Sequence, residues 1–258
     1  MTDRLYKIEK NEHPKKFVIP KDNLHESVDL ENINADTFCI DKNKKPIWFI
    51  SNNKKFNEVI NTQNIRDFSG GGTDYDQRTA SLFILLVYYG MREHHKVLDI
   101  GAGGMGLGRL LMPWLQKGNY YAIEPVEWVW RKGLEDEIGN DILRVKEPTI
   151  FATQNFEFEL FNVKFDYVIA SSVFSHAHPV QIKTCMKNLK NYLAPNGYFL
   201  ASYVQGDVDS FYPGWVYPGI NIYTKESIHG WIREEGFEVK DIEVQSHQIW
   251  LEATHQKL

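Results

Sequence analysis

A glycine-rich turn follows an acidic residue within Lys96–Leu111, which reads KVLDIGAGGMGLGRLL. Apolar residues precede Asp99, and leucines at helical spacing come after the glycines, so the stretch predicts a strand, a tight turn and a helix. Glycine lets a backbone turn sharply and lets a ligand approach without a Cβ in the way. The unpaired N–H groups at the start of the helix point at the same place. The stretch therefore predicts a ligand-binding turn.

Two classes of ligand use such a turn. The spacing Gly101-x-Gly103-x-x-Gly106 fits the dinucleotide fingerprint, which keeps an NAD-dependent oxidoreductase as an alternative. Asp99 stands two residues before the first glycine, and its carboxylate repels a pyrophosphate. The same carboxylate suits a cationic ligand that carries an amino group and a sulfonium. The acidic residue thus favours the second class of ligand.

The run Asp99-Ile100-Gly101-Ala102-Gly103 resembles the first motif, D-x-G-x-G, of the class I S-adenosylmethionine-dependent methyltransferases. The resemblance covers the last two thirds of the chain. It implies S-adenosyl-L-methionine as cofactor, with Asp99, Gly101, Ala102 and Gly103 lining its methionine end.

Further cofactor contacts are expected where the following strands end. Glu124 ends the second predicted strand before Pro125, and a carboxylate there can accept both ribose hydroxyls of a nucleoside. The family usually has a polar group after the third strand; here Asn155 would read the adenine edge and Phe156 would pack on the base. Ser171 ends the fourth predicted strand and is expected beside the cofactor.

A candidate base follows that fourth strand. The segment Ser172–His176 resembles the S-x-x-x-H segment of small-molecule methyltransferases of this class. Ligands of parallel α/β sheets sit beyond the carboxyl ends of the strands, so His176 is expected near the transferred methyl group. A neutral imidazole, with an unperturbed pKa of about 6.5, can take a proton from a hydroxyl, and the rate should rise with pH through that titration. Helix capping or packing is the alternative role for His176.

The acceptor is expected to contact aromatic residues. Trp215 and Tyr217 lie in Phe211–Gly219, called here the aromatic loop, which has four aromatic residues and two Pro-Gly turns. Its rings could stack flat on a sugar or a base. Packing of the loop on its own rings is the alternative. We also assign Tyr203 and His178 to the acceptor side, and expect His178 to face solvent more than His176 does.

The order of elements predicts an α/β fold. Strands alternate with helices, which implies a doubly wound, Rossmann-like and mostly parallel sheet of seven strands. The last two strands, Phe237–Val244 and Gln248–Ala253, are joined by a few residues and should form a C-terminal antiparallel hairpin. Residues 1–72 are predicted to be an N-terminal extension or cap, and residues 73–258 the methyltransferase domain. The extension could cover the acceptor site or form an oligomer contact.

The composition limits the kinds of molecule that the protein is expected to bind. The net charge of −5 argues against non-specific binding to nucleic acid. No stretch approaches a membrane span, and the N-terminus lacks the apolar core of a signal peptide, so we expect a cytoplasmic protein without membrane contact. The two cysteines show no metal-type spacing, and no metal is expected. The oligomeric state stays open.

The predicted reaction is methyl transfer to a hydroxyl of a small polar metabolite, such as a sugar or a nucleotide-linked precursor of a capsule or surface polysaccharide. The low net charge and the aromatic loop support this acceptor. The tail Ser246–Trp250 resembles the closing strand of bacterial methyltransferases that modify sugars and surface polysaccharides. The alternatives are N-methylation of a small amine, NAD-dependent oxidoreduction, and a non-enzymatic subunit that binds the cofactor.

Overall fold

The computed structural model describes residues 64–69, 74–244 and 246–256, and the account below is of these residues. The strands are β1 Val97–Ile100, β2 Tyr120–Ile123, β3 Thr149–Phe151, β4 Phe165–Ala170, β5 Leu193–Gln205, β6 Ile222–Tyr223, β7 Phe237–Ile242 and β8 Ile249–His255. The α-helices are α1 Ile65–Phe68, α2 Tyr75–Tyr88, α3 Gly108–Trp114, α4 Glu127–Gly133, α5 Asn140–Lys146, α6 Pro179–Leu189 and α7 Lys225–Glu234. A π-helical turn, Leu134–Ile138, continues α4, and a 3-10 turn spans Phe158–Phe161.

The strands form one sheet in the order β3-β2-β1-β4-β5-β8-β7. The first five pair in parallel, and β8 runs antiparallel between β5 and β7. This confirms the predicted doubly wound, mostly parallel sheet with its antiparallel hairpin. One strand was not predicted: β6 pairs in parallel with the end of β5. The strand order reverses between β1 and β4, and ligands of such sheets bind beyond the carboxyl ends of the strands at that point.

Helices cover both faces of the sheet. Every residue of β1 and of β2 is buried, as expected for parallel strands with packing on both faces. One apolar layer includes Phe158, Phe165 and Ile182, and the opposite layer includes Leu111 and Trp130. A charged side chain in β1 or β2 is therefore held inside the protein rather than in water.

Some predicted boundaries were wrong. The helix after the glycine turn begins at Gly108 instead of Met105, because residues 101–107 are occupied by the turn itself. The predicted turn Pro195–Gly197 lies within the bounds of β5, at a register shift where Leu193 pairs with Phe165 and Tyr198 with Tyr167 of β4. The extra residues of β5 form a bulge there instead of ending the strand. Of the predicted extension, residues 1–63 and 70–72 lie outside the described residues, and its boundary with the domain stays a prediction.

One helix packs against the glycine turn with no room for a side chain. A Cβ on Gly133, the last residue of α4, would lie 2.5 Å from the carbonyl oxygen of Gly104. That atom belongs to the backbone and cannot move aside cheaply. We therefore predict that Gly133→Ala lowers the free energy of unfolding by about 1–3 kcal/mol, measured by urea denaturation.

The matched control is Gly230→Ala, in α7, where a Cβ would meet nothing within 4 Å. This substitution should leave stability unchanged or raise it by about 0.5–1 kcal/mol, because alanine favours helix more than glycine does. Equal effects of the two substitutions would contradict the close contact at Gly133.

Candidate active site

The glycine turn after β1 has a backbone that other residues rarely adopt. Gly101 and Gly103 have φ angles of 69° and 52°. A Cβ on Gly101 would lie 2.8 Å from Cγ2 of Val173, in the segment that follows β4. The N–H groups of Gly101 and Ala102 donate to the carbonyl oxygen of Ile123 at 2.8 and 3.2 Å. The turn is thus fixed to the end of β2 and directly abuts the segment after β4.

Two buried carboxylates stand beside this turn. Asp99 is 5% exposed and accepts a hydrogen bond from the Tyr120 hydroxyl at 3.1 Å. Glu124 is 7% exposed and accepts hydrogen bonds from the N–H groups of Gly103, at 3.0 Å, and Val126, at 2.9 Å. Burial raises the pKa of each carboxyl group to about 7. Among the described residues neither carboxylate forms an ion pair, so the site suits a ligand that brings positive charge or hydroxyl donors.

His176 lies beyond the end of β4, against the aromatic loop. Its ring centroid is 4.9 Å from that of Tyr217 and 5.7 Å from that of Trp215. The Nδ1–H group donates to the carbonyl oxygen of Gly219 at 2.7 Å, an arrangement that assigns the proton to Nδ1 and the lone pair to Nε2. Burial lowers the pKa of His176 to about 4. The ring is therefore neutral throughout the physiological range, and the expected titration near pH 6.5 is wrong.

The short helix α1 closes over the glycine turn. Ser69, which follows α1, accepts a hydrogen bond on its hydroxyl oxygen from the Gly104 N–H at 2.7 Å. Phe68 packs against Trp128 and Tyr217, with ring centroids 5.3 and 5.4 Å apart, and the Tyr217 hydroxyl donates to the Phe68 carbonyl oxygen. The end of the predicted extension thus links the glycine turn to the aromatic loop.

An ion-pair cluster holds α1 in this position. Arg66 forms two hydrogen bonds to the Glu137 carboxylate, at 2.7 and 3.0 Å, and a longer one to Asp76. Arg109, in α3, forms ion pairs with the same two carboxylates. The Tyr75 ring lies beneath both guanidinium groups, at 5.1 and 5.5 Å. Because one Glu137 carboxylate serves both arginines, α1 is tied to α2, to α3 and to the π-helical turn together.

Comparison with known proteins identifies the family. A family model described as a methyltransferase domain matches residues 72–242, about two thirds of the chain. The chain belongs to this methyltransferase family. The match confirms the predicted class I methyltransferase with S-adenosylmethionine as its cofactor, and it overturns the alternative of an NAD-dependent oxidoreductase. No curated protein matches the chain.

Solved structures share the fold at low identity. Magnesium protoporphyrin IX methyltransferase from Synechocystis PCC 6803, with bound S-adenosylhomocysteine, is 14% identical over 78% of this chain and 93% of its own, with a TM-score of 0.54. The glycopeptide N-methyltransferase MtfA, also with S-adenosylhomocysteine, is 17% identical over 68% of this chain and 89% of its own, with a TM-score of 0.53. The PH0226 protein from Pyrococcus horikoshii OT3 is 16% identical over 79% of this chain and all of its own, with a TM-score of 0.58.

The residues present fit the cofactor. Asp99 and Glu124 are buried carboxylates for which the described part of the chain provides no cation, and S-adenosylmethionine carries a sulfonium, an amino group and a ribose diol. Glu124 would accept the ribose hydroxyls, and Asp99, Gly101, Ala102 and Gly103 would border the methionine end. These individual contacts, together with those of Pro125 and Ser171, stay predictions. Ser171 is partly exposed at the end of β4, and Pro125 is partly exposed directly after Glu124.

The two residues predicted to contact adenine, Phe156 and Asn155, also have structural roles. Phe156 is 6% exposed and packs in the core beside Phe158, which leaves little of its ring for a base. The Asn188 side chain donates to the carbonyl oxygens of Phe156, at 3.0 Å, and Asn155, at 3.4 Å, and so fixes the turn after β3. The Asn155 side chain is partly exposed, and its contact with adenine stays a prediction.

Two of the predicted acceptor contacts lie inside the protein. Tyr203 is fully buried in β5, and its hydroxyl donates to Gln205 at 3.2 Å, so an acceptor cannot reach its ring in this structure. His178 is 4% exposed, and the expectation that it faces solvent is wrong. It caps α6 instead: its Nδ1 accepts from the Val180 N–H at 3.3 Å, and its ring packs on Phe211. Both side chains face the core because of tertiary packing, which residue type alone does not reveal.

The described residues hold no group of three or more His, Cys, Asp or Glu side chains that could bind a metal ion. Nor is any helix within those ranges long and apolar enough to cross a membrane.

The turn and the carboxylates should control cofactor binding. We predict that Glu124→Ala weakens S-adenosylmethionine binding by about 1–3 kcal/mol, because charge-assisted hydrogen bonds are lost. Gly101→Val should abolish binding, because its side chain meets Val173 and the φ of 69° strains any β-branched residue. Calorimetric titration measures both, after circular dichroism has shown that each variant is folded. Unchanged affinity in both variants would contradict the assignment of the site.

Proposed function

We propose that this methyltransferase methylates a hydroxyl group of a small, neutral, polar acceptor, with a sugar as the best candidate. Among precursors of a capsule or surface polysaccharide, a sugar without a phosphate group fits this description. The observation that carries the proposal is the state of His176. Its ring is neutral and packs against Trp215 and Tyr217, its Nδ1 proton is donated to Gly219, and Nε2 keeps its lone pair.

Each residue has a defined task in this reaction. S-adenosylmethionine would supply an electrophilic methyl group when bound, and the glycine turn with Glu124 would hold it. His176 accepts the hydroxyl proton on Nε2 as the oxygen–carbon bond forms and the carbon–sulfur bond breaks. An imidazole whose pKa is about 4 cannot remove that proton beforehand, so proton transfer accompanies methyl transfer. Alignment of the acceptor by the aromatic loop supplies much of the remaining rate.

The charge around the site supports a neutral acceptor over a nucleotide-linked one. The described segments that surround His176 and the glycine turn are 64–69, 99–106, 124–128, 171–178 and 206–221. They contain one lysine or arginine, Arg66, and its guanidinium is bound to Glu137 and Asp76. A phosphate would find no unpaired cation within these segments. Trp215 and Tyr217 instead offer ring faces, which suit the apolar face of a sugar.

N-methylation of a small amine is the second candidate. One structure that shares the fold is a glycopeptide N-methyltransferase, and carboxylates near the site would attract a cationic amine. Such an amine must arrive uncharged, because His176, with a pKa of about 4, cannot deprotonate an ammonium group. The rate of N-methylation would therefore follow the pKa of the amine, whereas the rate of O-methylation would not.

The experiment is a methyl-transfer screen that detects S-adenosylhomocysteine and then locates the new methyl group by NMR. Matched acceptors are a neutral methyl glycoside, the corresponding amino sugar, and the corresponding nucleotide sugar. We predict a methyl ether on the neutral glycoside, and with it a kcat that is flat between about pH 6 and pH 8. A product methylated on nitrogen, or activity with the nucleotide sugar alone, would contradict the proposal.

The same assay tests the base. His176→Asn should lower kcat ~100–10,000-fold and leave S-adenosylmethionine binding intact, because the proton then has no acceptor. The control is His94→Asn, the same chemical change at an exposed position just before β1, at the opposite edge of the sheet. It should keep full activity. A near-native kcat in His176→Asn would show that His176 is not the base.

A further inference from the structure

The aromatic loop is fastened to the segment after β4 by one buried amide. Asn221 is fully buried although its side chain is polar. Its Nδ2 donates to the Ala177 carbonyl oxygen at 3.0 Å, and its Oδ1 accepts from the Tyr212 N–H at 3.1 Å. Its backbone N–H donates to the Ser175 carbonyl oxygen at 2.7 Å. One residue thus joins the two ends of the loop to the residues on both sides of His176.

The loop contacts His176 itself from two directions. The Gly219 carbonyl oxygen accepts from the imidazole Nδ1–H at 2.7 Å, and the Val216 N–H donates to the His176 carbonyl oxygen at 3.1 Å. Gly219 stands two residues before Asn221, so the amide fixes the place of that carbonyl group. Within the described residues Gly219 is the one hydrogen-bond partner of the imidazole, and it alone decides which nitrogen carries the proton.

We infer that Asn221 is a positioning residue, which holds the Gly219 carbonyl group against His176 and thereby keeps the imidazole in the tautomer with its lone pair on Nε2. The inference that this tautomer matters for catalysis rests on the proposed function. The hydrogen bonds that hold the tautomer do not depend on that function, since they involve only residues of this chain.

An amide suits this position because it donates and accepts at once. Alanine would remove both side-chain hydrogen bonds, the one from the Tyr212 N–H and the one to the Ala177 carbonyl oxygen. Aspartate is nearly the same size and keeps an acceptor for Tyr212, but it presents a second oxygen to the Ala177 carbonyl group. Tyr223 also donates to the Ala177 oxygen, at 2.5 Å, so that carbonyl group keeps one partner in either variant. The specific loss is therefore the side-chain link from the loop to Ala177, while the backbone hydrogen bonds to Ser175 and His176 remain in both variants.

The test is NMR of the protein labelled with ¹⁵N in histidine, since the two imidazole nitrogens have different chemical shifts in the two neutral tautomers. His176→Asn assigns the signals. The wild-type protein should show His176 as the Nδ1–H tautomer. Asn221→Ala should show both tautomers, and its kcat should fall ~10–100-fold, with S-adenosylmethionine affinity unchanged. Tyr223→Phe removes the neighbouring hydrogen bond to the same carbonyl group and should keep the wild-type tautomer.

An Asn221→Ala variant that keeps the Nδ1–H tautomer alone would overturn the inference. If that variant fails to fold, Asn221→Asp replaces it, with a mixture of tautomers expected and an unchanged single tautomer as the contrary result. The NMR measurement needs no acceptor. If the screen finds no methylation of a hydroxyl group, the proposed function is wrong. The NMR measurement of the His176 tautomer would still test the role of Asn221.

Discussion

Two buried carboxylates, which have no ion-pair partner among the described residues, impose the main constraint on this structure. Asp99 lies in β1 and Glu124 directly follows β2, and both side chains are largely shielded from water. A buried charge without a partner is costly, and the raised pKa values of about 7 are the measure of that cost. Backbone N–H groups of Gly103 and Val126 offset part of it for Glu124. A cofactor that brings a sulfonium, an amino group and hydroxyl donors offsets the rest.

The residues around the two carboxylates close the site from several sides. The glycine turn lies close to Val173 and α4, and the φ angles of Gly101 and Gly103 are ones that other residues rarely adopt. The helix α1 then covers the turn, with Ser69 on the Gly104 N–H and Phe68 against the aromatic loop. The loop in turn carries the carbonyl group that orients His176. The glycine turn, α1, the aromatic loop and His176 are thus one connected set of contacts.

Local sequence predicts part of this arrangement. Asp99, the glycines and Glu124 were found because strand ends, turn glycines and acidic residues occur at short, regular spacing, and parallel strands bring their ends together. His178 and Tyr203 were misjudged because burial depends on which neighbours pack against a side chain.

Long-range partners could not be predicted from one sequence. Ser69 meets Gly104 across 35 positions, Gly219 meets His176 across 43, and Tyr217 meets Phe68 across 149. No periodic pattern marks such pairs. The exposed Trp128 and the buried Asn221 gave no signal either, since an aromatic residue or an amide in a loop has many possible roles.

Proton linkage to nucleoside binding tests the central claim most directly. Methylthioadenosine has the cofactor's ribose and no group that titrates near neutral pH. Because binding favours the ionised Glu124, whose pKa is about 7 in the unliganded protein, its affinity should rise as the pH increases from about 6 to about 8. The rise should be lost or much reduced in Glu124→Gln. Calorimetry that finds the same affinity at both ends of this range in the wild-type protein would contradict the account.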